Sequence, residues 1–151
     1  MIKLICVGKI KEKYLKEAIF EYTKRLSRYT KIEIIEVNDV DVNNPSISLL
    51  KEKEEITKHI SEKDFIITMD ITADQLTSTE FSEKLDKILI SNPNICFIIG
   101  GSHGIDQEIK EKSNYRLSFS KMTFPHQLFR VILLEQIYRA YKILKNESYH
   151  K

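Results

Sequence analysis

Hydrophobic residues in this chain occur as short strand-like runs separated by longer segments with helical spacing. Apolar runs of five or six residues are typical of strands in a parallel sheet. Five segments are predicted to be strands: Ile2–Val7, Ile32–Val37, Phe65–Met69, Ile95–Ile99 and Tyr115–Phe119. Helices are predicted at Glu12–Arg28, at Ser46–Ile60, from a cap at Thr79 to about Ile90, at Ile105–Lys112 and at Pro125–Lys145. This alternation predicts an α/β domain with a mainly parallel sheet flanked by helices.

Turn residues mark the connections between these elements. Asn38–Pro45 is predicted to be a polar loop with an Asn-Asn-Pro turn. Gly100–Gly104 follows the fourth strand but matches neither the dinucleotide fingerprint nor the Walker motif. The glycines fit either a plain tight turn or a backbone that a ligand approaches closely. His103, within this segment, is expected to be exposed.

Length and composition narrow the class of protein. With 151 residues, of which 42% are hydrophobic, we expect one domain spanning 1–151. No apolar run approaches the roughly 20 residues of a membrane span, and no signal peptide is predicted. Cys6 and Cys96 lie in strand-like runs and are expected to be buried thiols, with no metal site near them. A cytoplasmic protein without a metal is the resulting expectation.

Charge is segregated along the chain. Residues 1–31 and residues 110–151 each carry nine Lys or Arg against three Glu, whereas residues 32–109 are strongly acidic. One interpretation is that each charged segment is a solvated helix face. The other is that both chain ends fold together into one basic surface for a polyanion, with RNA the obvious candidate.

The segment from Tyr115 to Arg130 contains the most chemistry. A strand and a short polar turn lead into a helix predicted to have Pro125 as its first residue and His126 as its second. In an open α/β fold, ligands bind at such helix starts. His126 is either a residue of this site or a histidine at the core edge that the backbone satisfies. Arg130, one turn later, is either paired with a carboxylate such as Glu135 or free to contact substrate or RNA phosphate.

Two further features belong to the C-terminal helix. Its apolar residues cover about 200° of the helical wheel, so the helix is expected to be buried on more than one side, within one chain or across a dimer interface. The tail Asn146–Lys151 is either a frayed end or a functional segment. In the second case, Tyr149, His150 and Lys151 have the side chains needed to stack on bases and meet phosphates.

Several motifs together resemble one family over essentially the whole chain. They are Lys3–Lys9, Tyr22–Leu26, Ile99–Gly104, Leu117–His126, Arg130, Leu134–Ala140 and Tyr149-His150. In this combination the sequence is similar to the ribosomal RNA large subunit methyltransferase H family, small knotted methyltransferases of the SPOUT superfamily. The resemblance implies a C-terminal trefoil knot and an obligate homodimer. It also implies methyl transfer to N3 of a pseudouridine in a hairpin loop of large-subunit ribosomal RNA, within assembled ribosomes.

The resemblance also implies roles for particular residues. S-adenosylmethionine would be held by Met69, Gly100, Phe119, Ser120, Lys121, Met122, Thr123 and Phe124. His126 and Arg130 would position or polarise the base, and the partner subunit would supply Tyr149, His150 and Lys151 to close the site. Two alternatives remain: a non-catalytic RNA-binding protein on the same fold, and a knotted methylase that acts on tRNA.

Overall fold

Five parallel strands form a single sheet at the centre of the molecule. The computed structural model describes residues 1–40 and 43–151. The strands are β1 (Ile2–Val7), β2 (Ile32–Val37), β3 (Asp64–Met69), β4 (Asn94–Ile99) and β5 (Tyr115–Leu117). Their order across the sheet is β2-β1-β4-β3-β5, and every pairing is parallel. The predicted α/β class is confirmed, with each strand close to its predicted position.

Helices cover both faces of this sheet. They are α1 (Lys13–Leu26), α2 (Pro45–Thr57), α3 (Ser78–Ser91), α4 (Gln107–Lys112) and α5 (His126–Leu144). One apolar core lies between the sheet and α1, α3 and α5, and it contains Leu4, Phe97 and Leu133. A smaller core lies under α2 and α4 and contains Ile5 and Ile98. Successive residues of β1 and β4 thus point to opposite faces, and both faces are buried.

The start of α3 differs from the prediction. Thr77, and not Thr79, is the N-cap: its side chain accepts a hydrogen bond from the backbone N–H of Glu80, whose carboxylate accepts one from the N–H of Thr77. This reciprocal capping box satisfies two backbone donors that the helix leaves without partners. Thr79 therefore lies inside the first turn.

The chain between β5 and α5 also differs in detail. β5 ends at Leu117, because the N–H of Ser118 donates to the carbonyl of Asp74 at 3.0 Å instead of continuing the ladder with β3. Pro125 has extended backbone angles and is the N-cap of α5, so His126 and not Pro125 is the first helical residue. The helix start and its histidine remain where the sequence places them, shifted by one residue.

Three other helices are shorter than predicted. α1 ends at Leu26 and α2 at Thr57, before their predicted last residues, and α4 begins at Gln107, after its predicted first residue. In the predicted loop 38–45, positions 41 and 42 lie outside the described residues. Asn44, within its turn, caps α2 by accepting a hydrogen bond from the N–H of Ser46 at 3.0 Å, and Pro45 is the first helical residue.

α5 is buried on more than one side within a single chain, as its wide apolar arc predicts. It packs against α1, α3 and the sheet, and Leu133, Leu134 and Ile137 are fully buried. Contact between α1 and α5 brings the two basic ends of the chain together. In the described part of the chain, no helix combines the length and apolar character needed to cross a membrane.

Both cysteines are buried free thiols, as predicted. Burial raises the pKa of the Cys6 thiol to about 12, and it does the same for Cys96. Because the thiolate is the reactive form, neither residue has the character of a nucleophile.

Candidate active site

A cavity of about 200 Å³ opens at the carboxyl edge of the sheet, where β3, β4 and β5 end and α5 begins. Open parallel sheets bind their ligands at this edge. Three segments of chain supply its walls: the turn after β3, the glycine turn after β4 and the loop 118–125. The residues lining it are Met69, Asp70, Ile71, Ile99, Gly100, Gly101, Gly104, Leu117, Ser118, Phe119, Ser120, Met122, Thr123, Phe124, His126 and Phe129.

Most of the residues implied to bind the cofactor lie in this cavity. Seven of the eight line it: Met69, Gly100, Phe119, Ser120, Met122, Thr123 and Phe124. Lys121 is exposed on the same loop and is not one of the lining residues. The cavity therefore brings together residues from three parts of the sequence that lie up to 55 positions apart in the chain.

Gly100 is required by the close return of its own turn. A Cβ at this position would lie 2.3 Å from the carbonyl oxygen of Gly104 and 2.8 Å from the Ile105 side chain. Gly104 has a φ of +81°, a left-handed conformation that favours glycine. The turn is closed by a 3.1 Å hydrogen bond from the N–H of Gly104 to the carbonyl of Gly101. Both interpretations of these glycines are thus compatible with the structure: the turn is tight, and its backbone faces the cavity.

Replacing Gly100 by alanine is expected to weaken ligand binding in this cavity at least ten-fold, because backbone atoms of Gly104 must move to admit the new Cβ. Calorimetric titration with S-adenosylmethionine measures the change. Ser102→Ala is the matched control, since Ser102 is exposed in the same turn and is not one of the residues that line the cavity. Equal affinities for wild type and Gly100→Ala would contradict a ligand seated on this turn.

Aromatic rings form the apolar side of the cavity. The ring of Phe119 lies 5.2 Å from that of Phe129 and 6.0 Å from that of Phe81, in tilted and edge-on arrangements. Phe124 stacks on Phe129 with 6.1 Å between centroids. These contacts fix the loop that carries Phe119 and Phe124 against α3 and α5. The resulting surface suits a flat, weakly polar ring system.

Ser120 shapes the same loop through hydrogen bonds. Its carbonyl accepts a 2.9 Å hydrogen bond from the hydroxyl of Ser118, and its hydroxyl accepts one of 2.9 Å from the N–H of Met122. Met122 is 76% exposed at the tip of the loop. The loop is thus held by bonds within itself and by its aromatic anchors.

Asp70 adds a negative group that the sequence did not single out. Its carboxylate accepts hydrogen bonds from the N–H and hydroxyl of Thr72, at 3.0 and 2.9 Å, and lies 3.5 Å from Nζ of Lys110. Burial works to raise its pKa, but the bonds from Thr72 and the charge of Lys110 outweigh this, and the pKa is lowered. The cavity wall therefore carries a carboxylate at neutral pH. In the sequence, the feature that points to Asp70 as a site residue is its position directly after a predicted strand.

His126 lies at the junction of the cavity and the turn after β1. It lines the cavity and is half-buried. A Cβ at Gly8 would lie 3.6 Å from Nε2 of His126, so the imidazole packs directly on the Gly8 backbone. The histidine is thus available to a molecule in the cavity while its position is set by the protein.

Arg130 lies behind His126 and is almost completely buried, with 1% of its surface exposed. Nη1 donates to Glu36 at 2.6 Å, and Nη2 donates to the carbonyls of Gly8 and Val7 at 2.6 and 3.2 Å. Its carboxylate partner is therefore Glu36 and not Glu135. This arrangement ties the start of α5 to the ends of β1 and β2. Arg130 can contact a substrate only if these hydrogen bonds break. In the structure it acts on the site by holding the Gly8 turn in place.

The C-terminal tail turns back after α5 and packs along the second half of that helix. Tyr149 packs edge-on against Tyr138 with 4.9 Å between ring centroids, and its hydroxyl donates to Glu135 at 3.0 Å. Burial, together with the Glu135 carboxylate, raises the pKa of Tyr149 to about 12. Asn146 turns the chain with a φ of 54°. The frayed tail considered from sequence is not what the structure shows.

Arg139 is the centre of this tail cluster. It pairs with Glu135, places its guanidinium 4.9 Å from the Tyr149 ring and lies 3.2 Å from Nδ1 of His150. The four-residue spacing of Glu135 and Arg139 predicts their ion pair on one face of the helix. It does not predict that this pair contacts the C-terminal tail. These tail contacts, from Glu135 to Arg139, lie roughly 14 to 20 Å along α5 from His126. None of Tyr149, His150 and Lys151 is among the residues that line the cavity of the same chain.

Comparison with known proteins agrees with this architecture. A family model described as "Predicted SPOUT methyltransferase" matches residues 1–150. The chain belongs to the SPOUT methyltransferase family. Membership of this family implies the C-terminal trefoil knot expected from the resemblance. Among the described residues, no group of His, Cys, Asp and Glu side chains is arranged to hold a metal ion.

Relatives of this SPOUT chain share half of its residues along the full length. Proteins named ribosomal RNA large subunit methyltransferase H are 53% identical over 154 residues in Caldicellulosiruptor saccharolyticus, covering 100% of both chains, and 54% identical over 157 residues in Clostridium botulinum strain Hall, covering 99% of both. A solved structure of a probable methylase family protein from Haemophilus influenzae Rd KW20 is similar with a TM-score of 0.57 and 14% identity, covering 99% of this chain and 70% of that one. At this identity the solved structure supports the fold alone.

Proposed function

We propose that this protein is a single-domain enzyme of the cytoplasm that methylates N3 of a pseudouridine in a hairpin loop of large-subunit ribosomal RNA, acting on assembled ribosomes. The observation that carries the proposal is the cavity at the carboxyl edge of the sheet, which gathers seven of the eight residues implied to bind S-adenosylmethionine. The full-length relatives named as ribosomal RNA large subunit methyltransferases support the substrate class.

The residues present fit the methyl donor. When bound, S-adenosylmethionine supplies a methyl group on a sulfonium, which needs no further activation. The rings of Phe119 and Phe124 offer an apolar surface for a purine, and the glycine turn lets backbone groups approach it closely. The carboxylate of Asp70 offers an acceptor for hydroxyl or ammonium groups at the cavity wall.

The chain's own contribution to the reaction is alignment. N3 of the base must face the donor methyl, because the N3–methyl bond would form as the methyl–sulfur bond breaks, and the N3 proton would pass to solvent. His126, at the cavity wall, orients or polarises the base through its imidazole. Arg130 supports this by holding the Gly8 carbonyl, and hence the turn on which the imidazole packs. The two residues therefore have different roles, one contacting substrate and the other positioning.

The tail completes the site only across a homodimer. Tyr149 and His150 contact residues roughly 14 to 20 Å along α5 from His126, and no tail residue lines the cavity of its own chain, so a second copy supplies them. Apolar residues exposed near the cavity provide a surface for that copy: Met122, Phe124 and Leu128 are 76%, 40% and 40% exposed. In a twofold arrangement each subunit gives its tail to the other.

Methyl transfer to ribosomes tests the proposal directly. Ribosomes isolated from a strain lacking the modification, incubated with the protein and labelled S-adenosylmethionine, are expected to gain one methyl group in large-subunit RNA. Mass spectrometry of nuclease fragments then places it on N3 of a pseudouridine. Labelling of tRNA instead of ribosomes would favour a knotted tRNA methylase. Failure to bind S-adenosylmethionine in calorimetry would favour a non-catalytic RNA-binding protein.

A further inference from the structure

The loop after β1 and the first turn of α1 form an exposed basic edge. Lys9, Lys11 and Lys13 are all exposed, and Tyr14 exposes 66% of its surface. Glu12 is the one acidic residue between positions 9 and 14. We call Lys9, Lys11, Lys13 and Tyr14 the basic edge.

Three contacts fix the backbone of the basic edge against the candidate active site. The Gly8 carbonyl accepts a hydrogen bond from Arg130, and the N–H of Lys11 donates to Gln127 at 3.4 Å. The N–H of Ile10 donates to Glu36 at 2.9 Å. Because Gly8 packs on His126, which lines the cavity, the basic edge borders the cavity on the side of α1.

The lysines of the basic edge contribute little to the fold itself. Among the described residues, Lys9 and Lys11 have no carboxylate within ion-pairing distance, and Lys13 has only Glu17 at 3.7 Å, with both side chains largely exposed. Surface pairs of this kind add almost nothing to stability. The ring of Tyr14 beside them is mostly exposed and takes no part in the contacts that fix the backbone of the basic edge. Both features are explained by a ligand that carries negative charge and flat rings.

We propose that the basic edge binds the phosphate backbone next to the nucleotide that enters the cavity, and that Tyr14 stacks on a neighbouring unpaired base. This inference rests on the proposed function, because it takes the substrate to be ribosomal RNA. Proteins read RNA loops through splayed bases that stack on aromatic rings, while Lys and Arg hold the phosphates. The basic edge offers both within six residues, beside the cavity where the target base would meet the methyl donor.

Salt dependence of binding tests whether these lysines bind phosphate. In Lys9→Gln/Lys11→Gln/Lys13→Gln, the slope of log Kd against log salt for a fluorescent RNA hairpin carrying the large-subunit loop sequence is expected to fall by about 2, at roughly 0.7 for each lysine–phosphate pair removed. The KM for unmethylated ribosomes should rise about ten-fold, with kcat and S-adenosylmethionine affinity unchanged.

A triple variant in the acidic part of the chain is the matched control. Lys51, Lys63 and Lys87 are also exposed, so changing all three to Gln removes the same charge elsewhere. This variant should keep the wild-type slope to within a few tenths. If both triple variants lower the slope equally, net charge and not the basic edge governs binding, and the proposal is overturned.

Tyr14 is tested separately. Tyr14→Ala is expected to weaken hairpin binding about ten-fold, whereas Tyr14→Phe keeps the ring and should bind as wild type does. Equal binding by all three proteins would remove the stacking contact from the proposal. A wild type that binds RNA through the basic edge but transfers no methyl group would refute the proposed function alone. A wild type that methylates ribosomes with no effect of the lysine changes would refute the basic edge alone.

Discussion

Arg130→Met is expected to lower the free energy of unfolding by about 3 kcal/mol, because it removes a buried guanidinium that donates to two buried carbonyls and pairs with the partly exposed Glu36. The carbonyls of Val7 and Gly8 lose the guanidinium, and Glu36 loses its cation at the ends of β1 and β2. Methionine fills part of the space but offers no donors. Urea unfolding monitored by circular dichroism gives the midpoint and the slope, from which the change is calculated.

Measurement of kcat separates a positioning role of Arg130 from a role in stability alone. At a temperature where the variant stays folded, kcat for methyl transfer should fall at least ten-fold, since the Gly8 turn no longer holds His126 in place. Glu36→Gln keeps the acceptor for the N–H of Ile10 and should shift both quantities in the same direction by less. Arg28→Met, which changes an exposed arginine just beyond α1, should leave the unfolding midpoint in place. Normal kcat in a folded Arg130→Met protein would contradict the positioning role.

The partner of Arg130 shows where local sequence reasoning ends. Glu135 is close in sequence, but five residues along a helix turn its side chain about 140° away from that of Arg130. Glu36 lies 94 positions earlier and meets Arg130 only because β2 occupies the edge of the sheet beside β1. The apolar runs predict that these strands exist, but not their order. A buried arginine could therefore be predicted, while its carboxylate could not.

Other differences between the predicted and the observed structure could be predicted from sequence motifs. Thr77 and Glu80 stand at the spacing of a capping box, which identifies Thr77 and not Thr79 as the N-cap. The seven cavity residues were reached through the resemblance to a family, because the return of loop 118–125 to the glycine turn is a tertiary contact. Asp70 was missed although it follows a strand, since one carboxylate in a loop is common.

Deletion of Tyr149–Lys151 is expected to reduce kcat for ribosome methylation by at least 100-fold while S-adenosylmethionine binds as tightly as to the wild type. No tail residue lines the cavity of its own chain, so the cofactor contacts are untouched. Tyr149→Phe keeps the ring on Tyr138 and loses only the hydroxyl group, which donates to Glu135, so it separates ring packing from hydrogen bonding. Unchanged turnover by the truncated protein would rule out a catalytic role for the tail.

Mixing two impaired variants, at a concentration of S-adenosylmethionine too low to saturate Gly100→Ala, distinguishes a tail that acts on the partner subunit from one that acts on its own. One variant lacks the tail, and the other carries Gly100→Ala, which is expected to damage the cavity but leaves the tail intact. Subunit exchange produces mixed dimers in which the intact cavity of the first variant meets the intact tail of the second. Random exchange then restores about a quarter of wild-type activity, since half of the dimers are mixed and each has one complete site. A tail that serves its own subunit restores none, because no chain in the mixture carries both an intact cavity and a tail.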